Sequence, residues 1–239
     1  MDDQDEHGPA TGESRESRES RAVPTIEALA VGQLAANCYV VVCPTSHDAA
    51  LIDPGDAAPR ILDRVRALGA HVTHVLHTHG HFDHISATEQ VLAGLPGSVA
   101  LGAHPADAFL YGDDYRDGIQ ELASQFGYPV VTPRAQPTLA LADGARVAIG
   151  TLTLRVVHTP GHTPGGISLV CEPWCVFSGD TLFRRGIGRT DLPGGDEDAL
   201  YASIETHLYP LDPELIVYPG HGAPTTIGEE RRLNPFVRG

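Results

Sequence analysis

Hydrophobic residues fall in short runs broken by glycine, proline and aspartate, and the spacing within each run names its element. Positions 26–31 alternate loosely and read as a strand. Asn37-Cys38-Tyr39-Val40-Val41-Val42, denser in β-formers, reads as a second. Residues 49–52 make a third, ended by the turn Asp53-Pro54-Gly55. Then the period changes. Ile61, Leu62, Val65 and Leu68 share one face of a helix over 60–68, with Gly69 as its stop. A buried strand over 72–77 follows, and Ile85, Val91 and Leu92 predict a helix running to Gly94. A short strand at 98–101 and a helix over 105–111 come next. Residues 112–137 are polar, with few periodic apolar positions, and read as a long excursion, a candidate flap.

The second half restarts as strands at 139–141, 147–149, 152–157, 167–170 and 176–178. A helix over 196–208 and a last strand at 215–218 follow. Both halves run antiparallel strands first and helices after. This is an α/β (α+β) pattern, satisfied by two sheets face to face with helices outside.

Composition narrows the partners. Of 239 residues, 41% are hydrophobic, enough for a substantial core. The net charge of -15 argues against nucleic acid and anionic membrane as partners. No apolar run approaches the ~18 residues of a membrane span. The N-terminus has neither a basic nor an apolar signal region. Cys38, Cys43, Cys171 and Cys175 form no C-x-x-C pair and read as reduced thiols of a cytoplasmic protein. All 16 basic residues are arginine, which excludes Schiff-base chemistry on lysine. Residues 1–21 form an acidic, low-complexity leader in which Glu-Ser-Arg recurs, and disorder is expected there. Residues 22–239 are expected to fold as one catalytic domain.

The candidate chemistry sits where the 72–77 strand ends. Thr78-His79-Gly80-His81-Phe82-Asp83-His84 packs several metal-ligand side chains into one loop. His79 and His81, two apart in an extended segment, point the same way. Asp83 and His84 follow a bend and can face a neighbouring point. One ion per pair gives a site for two divalent metals, zinc first, with iron or manganese also suited to imidazole and carboxylate. Three later turns each present a ligand directly after a glycine: His162, Asp180 and His221. Any one of these alone reads as a surface turn. Together with the loop they complete two sets, His79, His81 and His162, and Asp83, His84 and His221, with Asp180 able to bridge.

At this point the chain resembles the metallo-β-lactamase-fold hydrolases, and among them the short glyoxalase II-like (hydroxyacylglutathione hydrolase-like) family. The resemblance runs from about Pro24 onward. It is carried by the Asn37-Cys38-Tyr39 and Asp53-Pro54-Gly55 segments, T-H-x-H-x-D-H, and the turns around His162, Asp180 and His221. Gly186-Ile187-Gly188-Arg189-Thr190-Asp191 and the ending Gly228-Glu229-Glu230-Arg231 to Asn234-Pro235-Phe236 add to it. It implies an αββα sandwich and carries the ligand roles onto His79, His81, Asp83, His84, His162, Asp180 and His221. Asp83 and Asp180 are the expected catalytic carboxylates. The implied reaction is hydrolysis of an acyl thioester, such as a lactoyl thioester of a small thiol. Two metals about 3.5–4 Å apart would lower the pKa of a water toward ~7 to supply the attacking hydroxide. Full-length glyoxalase II enzymes continue past the last metal histidine with a helical domain that helps bind glutathione. Here only residues 222–239 follow His221, and the lysines of that glutathione site have no counterpart. The carrier thiol therefore stays open.

Rival readings remain. A persulfide dioxygenase of the same fold would use one iron held by two His and one Asp. A lactonase or β-lactamase fits the metals but fewer of the motifs. A non-catalytic metal-binding protein is the remaining class. Asp53 is expected to orient a metal histidine, the alternative being that it simply makes the turn. His71, His74, His77, His104, His158 and His207 read as core or surface residues. Arg184, Arg185 and Arg189 either attract an anionic substrate or pair with Asp191. Tyr111 and Tyr115 are candidate pocket walls.

Overall fold

The computed structural model describes residues 23–125 and 133–239. The 1–21 leader and residues 126–132 of the expected excursion lie outside them. Two six-stranded sheets face each other. In the first, β1 (Thr25–Val31), β2 (Ala36–Val42) and β3 (Asp48–Ile52) pair antiparallel. Then β4 (His71–Leu76), β5 (Ala100–Ala103) and β6 (Leu139–Ala140) add in parallel. Parallel neighbours need crossovers, and these are helical. They are α1 (Ala58–Ala67), then α2 (Phe82–Ile85) with α3 (Thr88–Gly94), then a 3-10 helix (Pro105–Tyr111) with α4 (Asp113–Gln125).

The second sheet contains β7 (Arg146–Ile149), β8 (Leu152–His158), β9 (Ile167–Cys171) and β10 (Cys175–Gly179), all antiparallel. A hairpin of β11 (Leu182–Phe183) and β12 (Gly186–Ile187) leads to α5 (Glu197–Ser203). The chain then returns as β13 (Ile216–Pro219), parallel to β10, and closes with β14 (Thr225–Thr226) and α6 (Ile227–Leu233).

The αββα layering follows from the period of 2 in the buried strands. All 7 residues of β2 are buried, yet they divide by parity. Tyr39 and Val41 join the core between the sheets, while Cys38, Val40 and Val42 join the core under α1. Across the sandwich, Cys175 and Phe177 of β10 point into the shared core and Val176 packs beneath Leu200 and Ile204. A strand buried on both faces reads as a continuous apolar run, as β2 does. Phe177 sits 5.2 Å from the Tyr39 ring and 5.4 Å from the Tyr218 ring. Phe177→Ala should therefore cost ~3–5 kcal/mol, read as a lowered urea midpoint at constant slope. A loss below ~1 kcal/mol would show that this three-ring contact does not hold the sheets together.

Four expectations need correction. The 112–137 segment is not wholly irregular, because α4 covers its first half. Gly118 and the acids Asp113, Asp114 and Asp117 hid a helix whose Tyr115 and Ile119, one turn apart, reach the same cleft. The helix expected to run to Gly94 is two, α2 and α3. The helix at 196–208 widens after α5 into a π-turn over Ile204–Leu208. The strand expected at 98–101 sits two residues later, since parallel pairing sets Leu101 against Val75 and Gly102 against Leu76. The sequence reading also omitted α6. Its signal was a capping box: Thr226 accepts a hydrogen bond from the Glu229 N–H at 3.2 Å, in the spacing T-x-x-E. All four cysteines are buried and free. Among the described residues no helix is long and apolar enough to cross a membrane.

Candidate metal centre

The centre lies where strand ends from both sheets meet. β3 ends at Ile52, and Asp53 turns the chain with φ 53°. Its buried carboxylate accepts from Thr78 N–H at 2.7 Å and from the Thr78 hydroxyl at 2.6 Å. The same carboxylate lies 3.1 Å from His84 Nδ1. One side chain thus fixes the exit of β4 and the orientation of His84, the role expected of it. The β8–β9 turn brings in His162, the end of β10 brings in Asp180, and the end of β13 brings in His221.

The outer nitrogen of each late ring is held from behind. His162 Nδ1–H donates to the Arg189 carbonyl at 2.7 Å, and His221 Nδ1–H donates to the Leu34 carbonyl at 3.1 Å. With His84 Nδ1–H on Asp53, each of these rings turns its Nε2 inward. His79, His81 and His162 form one group, with ligand atoms all within 4.8 Å of one another. Asp83, His84 and His221 form a second by the same measure. Asp83 Oδ2 is 3.2 Å from His221 Nε2. Asp180 stands between the groups, its Oδ2 3.6 Å from both His162 Nε2 and His221 Nε2. Asp53, His79 and His84 also converge. Both Asp53 oxygens are already engaged by Thr78 and His84, so we read Asp53 as a support.

Among the described residues three buried side-chain polar atoms have no hydrogen-bond partner: His79 Nε2, His81 Nε2 and Asp180 Oδ1. Buried polar atoms are rarely left so. Two imidazoles and a carboxylate of one cluster left short of partners, with His81 Nδ1 turned to within 2.8 Å of His162 Nε2, fit a divalent cation. Backbone shape leaves the room. A Cβ on Gly220 would lie 2.0 Å from Asp180 Oδ1 and 2.9 Å from His84 Cε1, inside the centre.

Electrostatics separate the two groups. Burial, with the neighbouring rings, drives His79 well below its ordinary pKa and His81 down to about 3, so both rings are neutral donors of a lone pair. Around His84 burial also opposes charge, but Asp83, Asp180 and Asp53 overcome it and lift the ring to about 10. Burial works against the Asp83 charge too, yet His84 and His221 hold its carboxyl below the usual range.

A family profile described as the metallo-beta-lactamase superfamily matches residues 31–221. The chain belongs to the metallo-beta-lactamase superfamily. It is 37% identical over 213 residues to hydroxyacylglutathione hydrolase GloC of Haemophilus influenzae, covering 89% of this chain and 97% of that one. This bears out the resemblance to the short glyoxalase II-like family. It is also 31% identical over 203 residues to the mitochondrial persulfide dioxygenase ETHE1 of Homo sapiens, covering 82% of this chain and 69% of that one. Among solved structures, BLEG-1 B3 metallo-beta-lactamase aligns with a TM-score of 0.81 at 36% identity, over 90% of this chain and 100% of that one. TTHA1623 in a di-iron-bound form aligns at 0.76 and 38% identity, over 88% and 100%.

In this metallo-beta-lactamase superfamily chain the centre opens into a cleft of about 520 Å³. Phe82, Phe183, Ile187 and Leu192 give it apolar walls, and Tyr115 and Ile119 of α4 close one side. Tyr115 is thus a wall residue. Tyr111 is not: it is buried, and its hydroxyl meets His77 Nδ1 at 2.7 Å. The arginine patch is largely committed to ion pairs. Arg189 donates to both oxygens of Asp191, at 2.6 and 2.7 Å, and Arg185 meets the buried Glu230 at 2.8 Å. Among the described residues the other histidines stay out of the centre. His77 is core, and His104 stacks on His158 at 4.1 Å. The sequence reading missed one buried carboxylate beside the loops, Asp107. No motif marked it.

Proposed function

We propose that this chain is a metal-dependent hydrolase that cleaves an acyl thioester of a low-molecular-weight thiol, such as a lactoyl thioester. The observation that carries the reading is the pair of ligand groups joined by Asp180, with His79 Nε2, His81 Nε2 and Asp180 Oδ1 left without hydrogen-bond partners in the cluster. His79, His81 and His162 would hold one divalent ion and Asp83, His84 and His221 the other, with Asp180 shared. Zinc is the metal we assign; iron and manganese suit the same donors, and the di-iron form of TTHA1623 is a similar structure. Such ions supply a Lewis acid and a water of lowered pKa, near ~7.

The chain's own residues do the rest. Among the described residues no serine or cysteine lines the cleft, which favours water as the nucleophile over a covalent acyl-enzyme. Phe82, Phe183, Ile187 and Leu192 receive the acyl group and keep bulk water from the reacting carbonyl. Asp53 and the Leu34 and Arg189 carbonyls hold the rings in place, so little reorganisation accompanies the reaction. The kinship with GloC supports a thioester as substrate. We assign the protein to the cytoplasm, with 22–239 as its one catalytic domain and a small molecule as its partner.

The second reading is the dioxygenase, favoured by the kinship with ETHE1. A complete Asp83, His84 and His221 group argues for two ions instead. Purified protein, assayed for metal content and for turnover of thioester, lactone and persulfide substrates, is expected to carry two ions per chain and to prefer the thioester. Full activity with one iron and oxygen consumption on a persulfide would move the assignment to the dioxygenase.

A further inference from the structure

Asp107 is fully buried on the 3-10 helix, next to neither ligand loop in sequence. Its Oδ2 accepts from the Gly80 N–H at 2.9 Å and from the Thr163 hydroxyl at 2.9 Å. Its Oδ1 accepts from the Gly165 N–H at 2.6 Å. Gly80 lies between His79 and His81, and Thr163 directly follows His162. One carboxylate therefore ties together the two loops that supply the whole first ligand group. These loops leave different sheets, β4 in one and β8 in the other. A second tie, Ile167 N–H to the Thr78 carbonyl at 2.9 Å, joins the strands behind the ligands and not the ligand turns themselves. The fit around Asp107 is close: a Cβ on Gly165 would lie 2.6 Å from its Cγ. The second group does not depend on it. His84 is held by Asp53 and His221 by the Leu34 carbonyl.

We infer that Asp107 is a positioning residue that sets the His79–His81–His162 triangle, so that its loss weakens metal binding there and spares the Asp83–His84–His221 group. The inference rests on the two-metal reading proposed above. An asparagine is nearly isosteric but has one acceptor oxygen. Its amide N–H2 must then face an N–H, that of Gly80 or of Gly165, donor against donor. Supporting residues of this kind typically change metal affinity ~10–100-fold.

The test is a cobalt(II) titration of metal-free protein, followed by visible absorption, for the wild type, Asp107→Asn, His221→Ala and the double variant. The wild type should take up two equivalents. Asp107→Asn should keep one tight equivalent and bind the second ~10–100-fold more weakly. His221→Ala should also keep one, and the double variant only one, weakened ~10–100-fold. Wild-type titration by Asp107→Asn, or equal loss of both sites with a native circular dichroism spectrum, would overturn the role. If Asp107→Asn does not fold, Thr163→Val removes a single donor. It should weaken the same site by a smaller factor, and an unchanged titration would count against the clamp. A wild-type protein that takes up no cobalt would sink the metal reading, and this inference with it.

Discussion

Asp180→Ala is expected to remove nearly all hydrolysis and to loosen both metals while the fold survives. The carboxylate stands 3.6 Å from His162 Nε2 and 3.6 Å from His221 Nε2, one from each group. No other described side chain reaches both rings. In the absence of an ion its Oδ1 makes no hydrogen bond and faces His84 Nε2 at 3.4 Å, where Asp83 Oδ2 also approaches at 3.7 Å. Truncation removes one of three carboxylates around His84 and leaves Asp53 and Asp83 in place, so the circular dichroism spectrum should stay native. Catalysis should fall by at least the ~10²–10³-fold that loss of one preorganised electrostatic group costs. Elemental analysis and kcat on a thioester read both effects. Unchanged metal content with good activity would rule out the shared role. His221→Ala is the matched control and should affect mainly the second ion.

The contrast between Asp180 and Asp107 shows which parts of the centre are readable from sequence. Asp180 follows a glycine at the end of an apolar strand, and so do His162 and His221 in their turns. Strand-end turns with a glycine announce themselves, because the apolar period stops and a polar side chain is left at a fixed place. β2, β3, β9 and β10 are legible for the same reason. Asp107 has no such flag. It sits in a short 3-10 helix whose apolar residues, Leu110 and Tyr111, carry the only visible pattern, and its partners are 27 to 58 residues away. Long-range hydrogen bonds to backbone N–H groups leave no trace in local composition. α4 was hidden by propensity: Gly118 and several aspartates outweigh the two positions that matter, Tyr115 and Ile119. The arginine patch was ambiguous for another reason. Arg189 and Asp191, two apart, can face each other only if the turn bends, and the bend is a tertiary fact.

S-lactoylglutathione should be hydrolysed with weak saturation, KM rising more than kcat falls relative to the ester of the preferred thiol. On the thioesterase reading proposed above, the centre would act on the acyl carbon and the sulfur and so would not distinguish one carrier from another. Discrimination must come from the cleft. Its walls are mainly Phe82, Phe183, Ile187, Leu192 and Ile119, which reward apolar surface and ignore carboxylates. Among the described residues Arg189 is the one arginine lining it, and Asp191 already takes the Nε and Nη2 edge of that guanidinium. A carrier with two carboxylates thus finds little to replace its lost hydration. One missing charge-assisted hydrogen bond is worth ~1.5–3 kcal/mol, or roughly 10–100-fold in KM. Binding lost equally from ground and transition state raises KM and leaves kcat, which is the split to look for. The measurement compares kcat and KM across lactoyl thioesters of several small thiols on one enzyme preparation. Tight and strongly preferred use of the glutathione ester would mean that the cleft binds carboxylates through groups other than Arg189. Failure to turn over any thioester, alongside rapid opening of a lactone, would remove the thioesterase assignment and keep only the metal centre.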